Sequence, residues 1–119
     1  MNPATLPAGI RVFQRGWLSS NNVLLWDEET AALVDSGYAT HSTQTLDLVA
    51  HALGLRPLTH LYNTHLHSDH CGGNAALQAR YPSLYTAIPP GLAQAVAQWD
   101  PHALTYESTG QQCPRFTIQ

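Results

Sequence analysis

Thr64-His65-Leu66-His67-Ser68-Asp69-His70-Cys71-Gly72-Gly73 places three of the chain's seven histidines and one of its aspartates within six residues. Imidazole and carboxylate together form a borderline nitrogen/oxygen ligand set, suited to zinc and also to iron or manganese. His65 and His67 stand two apart, so in extended backbone their side chains leave the same face and reach one ion. Asp69 and His70 follow where the chain must turn into the next helix. Gly72 and Gly73 supply that turn, because glycine tolerates positive φ and lets backbones approach closely. The run therefore offers two ligand pairs, aimed at one ion or at two neighbouring ions. A zinc ion with an open position lowers the pKa of its water from about 16 to about 7, which makes hydroxide available to a carbonyl or phosphoryl centre. Asp69 then either ligates a second ion or orients the attacking water.

Outward from this run the pattern is that of an α/β protein. Upstream, Leu58 to Asn63 reads as a strand whose C-terminal end carries the histidines, which is where open α/β sheets place their sites. Before it, Leu46, Val49, Ala50 and Leu53 fall on one stripe of a helix capped by Thr40 or Ser42 and closed by Gly54. Before that, Asn22–Trp26 and Ala31–Asp35 form a hairpin around Asp27-Glu28-Glu29-Thr30. Strand, helix, strand in that order implies a parallel crossover. The second hairpin strand is almost continuously apolar, which suggests cover on both faces. Ile10–Gln14 adds a short strand. Downstream, a helix is expected from about Asn74 to Arg80 and a strand over Leu84–Ile88. A third helix follows Pro89-Pro90-Gly91, with Leu92, Val96 and Trp99 on one face. Pro114 to Gln119 reads as a further strand beginning.

The bulk composition narrows the function classes. With 119 residues the chain suits one domain with a modest core. It carries five arginines and no lysine, a net charge of -3 and only 11% charged residues. Neither nucleic acid nor an anionic membrane is an expected partner. The N-terminus has no basic region followed by an apolar run, and no stretch is long enough to span a bilayer, so a cytoplasmic location is expected. Two cysteines make no disulfide framework. Cys71 reads as a small buried turn residue and Cys113 as a loop thiol. His41, His51 and His60 read as structural, and His102 lies in a loop just after the third expected helix. Trp17 is the tryptophan read as a candidate substrate contact, and Tyr38 as a candidate lining of the cleft.

The quoted run, together with the hairpin ending at Asp35-Ser36-Gly37 and the helix and strand before the histidines, resembles the metallo-β-lactamase superfamily, whose signature is Thr-His-x-His-x-Asp-His-x-Gly-Gly. The resemblance implies an αββα sandwich with one or two metal ions at one edge. It implies His65 and His67 as ligands of the first ion, Asp69 and His70 as ligands of the second, and Asp35 as an acid beneath the metals. The implied cofactor is zinc, two ions in the complete protein, with iron or manganese as alternatives. The implied activity is attack of metal-bound hydroxide on an ester, thioester, lactone or amide of a small-molecule substrate. A hydroxyacylglutathione-hydrolase-like thioesterase fits better than a β-lactamase, which would be exported. An iron-dependent persulfide dioxygenase of the same fold and a non-catalytic metal-binding fragment are the rival readings. The family completes its ion sites with a later His in a Gly-His-Thr/Ser-x-Gly setting, then an Asp and a last His, none of which this chain has. Residues 1-119 are thus expected to form the N-terminal half of the fold, a mixed sheet with helices on one side. The missing half, or a second copy, would cover the open face.

Overall fold

The computed structural model describes residues 9–14, 21–64, 68–89, 96–97 and 115–118, with Ser68 and Asp69 described by backbone alone. Its sheet has five strands in sequence order: β1 (Ile10–Phe13), β2 (Asn22–Trp26), β3 (Ala31–Val34), β4 (His60–Tyr62) and β5 (Tyr85–Ala87). β1, β2 and β3 pair antiparallel, while β3, β4 and β5 pair parallel. The expected hairpin is present, and Asp27 builds its tip. The Asp27 carboxylate accepts from the amides of Glu29 and Thr30, both at 2.8 Å, and from the Thr30 hydroxyl at 3.1 Å. These donors, Thr30 first, hold its pKa below the usual carboxylate value, with a smaller contribution from the Arg56 charge. Arg56 also reaches the Asp27 carbonyl with its guanidinium.

The expected crossover connects β3 to β4 through α1 (Ser42–Leu53). Val49 and Leu53 are buried as the stripe requires, and Thr45 joins them. The helix start differs from expectation. A 3-10 turn over Ala39–His41 leads into α1, and neither Thr40 nor Ser42 caps it, His41 being the N-cap without a side-chain cap bond. The tighter turn begins the hydrogen-bonding early, His41 N–H donating to Tyr38 O, so the entry into the helix is made by backbone. At the other end Gly54 adopts φ +63 and donates to Ala50 O, a left-handed stop that suits glycine. Beyond β4 the chain forms α2 (Ser68–Cys71) and α3 (Asn74–Arg80). α3 matches the expected span, whereas α2 is a single helical turn where only a bend was anticipated. Val96 and Ala97 are helical, the remainder of the expected third helix lying outside the described residues. Residues 115–118 form no strand, contrary to the sequence reading. There Gln78 of α3 takes the place of a neighbouring strand, accepting from Thr117 N–H and donating to Thr117 O.

The register sorts the two faces. Leu24, Leu33, Leu61 and Thr86 lie in one row across β2 to β5 and are all fully buried. The three leucines pack with Val49 and Leu53 of α1 and with Leu77 and Tyr81 at α3 to make the main core. On the reverse face one row reads Val12, Val23, Val34, Tyr62 and Ala87, and the next Ile10, Leu25, Ala32, His60 and Tyr85. No Asp, Glu, Lys or Arg interrupts either row. Val12, Leu25, Tyr62 and Tyr85 keep 38–44% of their surface exposed. Alternating burial along β3, rather than cover on both faces, corrects the expectation from its apolar run. No helix among the described residues is long and apolar enough to cross a membrane.

Candidate metal centre

Asp35 directly follows β3, at the end of the sheet where the histidine run begins. Its backbone takes φ +63, a region that Asp tolerates better than most side chains but that still has to be held in place. Two bonds hold it. Asp35 N–H donates to Tyr62 O of β4, and Asn22 Nδ2 of β2 donates to Asp35 O, each at 2.8 Å. The reversal turns a buried carboxylate toward the start of the metal run. Oδ1 accepts from Thr64 N–H at 2.8 Å, and Oδ2 accepts from Thr64 Oγ1 at 2.7 Å and from His70 Nδ1 at 2.9 Å. Asp35 is thus a strand-end acid satisfied by the following turn, and the same carboxylate contacts His70 of the histidine run.

The Asp35–His70 contact has a chemical consequence. An ionised carboxylate only accepts hydrogen bonds, so the proton of a neutral His70 ring belongs on Nδ1. The lone pair then sits on Nε2, the state required of an imidazole ligand, with a carboxylate behind the ring raising its basicity. A nitrogen donor so prepared fits zinc or another divalent transition ion.

The backbone of the same turn is held as firmly. His70 O accepts from Ser36 N–H at 2.7 Å and from Asn63 Nδ2 at 3.2 Å. Asn63 and Asn74 pair their side-chain amides reciprocally, at 2.7 and 3.3 Å. Ser36 Oγ lies 2.7 Å from Asn74 Oδ1 and accepts from Gly73 N–H at 3.1 Å. Ser36, Asn63 and Asn74 are all buried. Gly73 is needed here for proximity: its φ is -88, and a Cβ at this position would sit 2.5 Å from Ser36 O. Positive φ, the other property expected of the glycine pair, is used at Gly37 instead.

His65 and His67 lie outside the described residues, as does the side chain of Asp69. His102, Trp17, Trp99 and Cys113 lie outside them too. Among the described residues no three His, Cys, Asp or Glu side chains gather around one point. Tyr38 is fully buried and belongs to the core, not to a cleft wall. Cys71 is buried against Val96 and Phe116 in a second small cluster, the structural role expected of it. His60 stacks on Tyr62 and bonds Thr59 Oγ1 on the sheet. The residues that sequence reasoning passed over are Ser36, Asn63 and Asn74. Their only signal was adjacency: Ser36 beside Asp35, one Asn immediately before the quoted run and one immediately after it.

Comparison with known proteins bears on the family and the fold. The sequence profile of the metallo-β-lactamase superfamily matches residues 15–108. A hydroxyacylglutathione hydrolase of Synechococcus sp. (strain JA-3-3Ab) is 45% identical over 76 residues, which are 61% of this chain and 28% of that protein. Among solved structures, a metallo-β-lactamase of Cronobacter sakazakii described by a HARLDQ motif superposes with a TM-score of 0.70 at 24% identity, over 93% of this chain and 42% of its own. The Rm3 metallo-β-lactamase superposes at 0.66 with 27% identity, over 93% and 41%. The chain thus spans less than half the length of each of these relatives.

Proposed function

The chain belongs to the metallo-β-lactamase superfamily, and on that premise we propose that it carries the first part of a metal-dependent hydrolase acting on a small acyl substrate, with a thioester favoured. The observation that supports this reading most directly is the Asp35–His70 bond, which prepares Nε2 of His70 as a ligand. The thioester preference rests on the 45% identity to the hydroxyacylglutathione hydrolase. His65 and His67 would hold a first ion, and Asp69 and His70 a second. Bound there, zinc would act as a Lewis acid and make water acidic enough to ionise near neutral pH. Asp69 would hold its ion or orient the attacking water, and Asp35 would keep His70 in the required tautomer. Turnover would need the further ligands that the family supplies beyond the His-x-His-x-Asp-His run. The apolar reverse face of the sheet would receive the second sheet of the sandwich, or a second copy of this one.

Metal uptake is the first test. Zinc titrated into metal-free chain should bind, and His67→Ala or His70→Ala should each abolish at least one equivalent; absence of uptake by the unaltered chain rejects the proposal. Iron uptake coupled to oxygen consumption would instead identify an oxygenase. Chelator-sensitive hydrolysis of a glutathione thioester by these 119 residues would refute the need for further ligands.

A further inference from the structure

Consecutive residues hold the two ends of His70. Asp35 takes its ring through Nδ1, and Ser36 takes its peptide carbonyl through N–H. Behind the carbonyl the polar side chains form a chain with one consistent direction. His70 O is an acceptor and cannot be turned over, so Asn63 must face it with Nδ2 and not Oδ1. With Nδ2 so placed, Asn63 presents Oδ1 to Asn74 Nδ2 and a second N–H to Asn74 Oδ1. That settles the orientation of Asn74, whose Oδ1 then also accepts from Ser36 Oγ. Ser36 Oγ lies 2.7 Å from Asn74 Oδ1 and 3.3 Å from His70 O, so its single hydrogen goes to the nearer Asn74 Oδ1 while the oxygen accepts from Gly73 N–H, at the residue that opens α3. Flipping either amide sets oxygen against oxygen or donor against donor in a buried space, so the two amides have one satisfied orientation. It ties β3, β4, α2 and α3 together at the turn.

We propose that Ser36, Asn63 and Asn74 are positioning residues that lock the His70 peptide, so that its imidazole is aimed before any metal arrives. The proposal rests on the reading of His70 as a metal ligand. A network that only stabilised the fold would leave the direction of the ring to the ring's own contacts, Asp35 and Thr64 among them. With the carbonyl also fixed, neither α2 nor the ring is free to re-aim.

The test uses the full 119-residue chain with Asn74→Ala, and with Ser36→Ala as the milder variant, since it keeps the Ser36 N–H bond to His70. Folding of each is checked by near-UV circular dichroism. Two readouts follow: the dissociation constant and visible absorption bands with Co2+, and the His70 Nδ1 proton signal by NMR in metal-free protein. The expected result is Co2+ affinity weaker by about ten- to a hundredfold, altered band intensities, and faster exchange of the Nδ1 proton. Folded variants whose Co2+ affinity, bands and proton signal all match the parent would overturn the proposal. A parent chain that takes up no Co2+ would refute the metal reading instead. The metal-free proton signal then decides the positioning role by itself, and an unmoved signal rejects it.

Discussion

Replacing Asp35 by Asn isolates the tautomer argument. Asn accepts φ +63 as readily as Asp, so the backbone at this position is not perturbed. The amide oxygen can keep the 2.8 Å bond from Thr64 N–H, but the new NH2 group faces Thr64 Oγ1 and His70 Nδ1, formerly 2.7 and 2.9 Å from a carboxylate oxygen. The threonine hydroxyl rotates to accept. His70 can accept only by moving its proton to Nε2, which removes the lone pair a metal would use. Three bonds to an ionised acceptor become neutral ones, each weaker by about 1 kcal/mol. Relief from burying a charge offsets part of this, leaving a net destabilisation of about 1–2 kcal/mol. Metal affinity should fall by about ten- to a hundredfold. Nitrogen-15 NMR of the imidazole reads the tautomer and calorimetric zinc titration reads the affinity. An Asp35→Asn protein with its proton still on Nδ1, or with unchanged zinc affinity, would refute the assignment of the carboxylate as the group that sets the ring.

Three further outcomes are expected. Gly73→Ala puts a methyl group 2.5 Å from Ser36 O and should destabilise the fold by about 1–3 kcal/mol; an unchanged melting temperature would show that the turn relaxes freely. Asp27 titrates below its ordinary value, so its contribution to stability is full above about pH 4 and is lost as pH falls through the lowered pKa. Melting curves of Asp27→Asn should therefore be less stable than the parent near neutral pH and converge with it in acid, and a constant gap at all pH values argues against the hairpin role of the carboxylate. Tyr62→Thr with Tyr85→Thr should reduce binding of a hydrophobic dye to the open sheet face; equal dye binding would place the exposed apolar surface elsewhere.

Much of this architecture was readable because it is local. The Asp27 tip, the β2–β3 hairpin and the α1 stripe ending at Gly54 each depend on residues within one or two turns of chain. The ligand run was readable because its spacing is itself the chemistry. The support beneath it was not, since Ser36 and Asn74 are 38 positions apart and meet only after the sheet forms. Neither residue departs from what a solvated loop would contain. The short helix α2 escaped for a related reason, since four residues carry no periodicity. The α1 start was misjudged because a 3-10 turn, which has no strong side-chain signature, stands in for a capping hydroxyl.

The bond between Asp35 and His70 spans 35 residues, and this separation bears on how the protein reaches its native state. Closing a loop of that length costs about 3 kcal/mol in chain entropy, which no single hydrogen bond repays. The two residues therefore meet late, after α1 has folded back and β4 has joined β3. The hairpin of β2 and β3 has no such delay and can form on a microsecond scale. In a refolding experiment the Nδ1 proton of His70, bonded to Asp35, would then be a clock for completion of the crossover, lagging behind the amide protons of the hairpin.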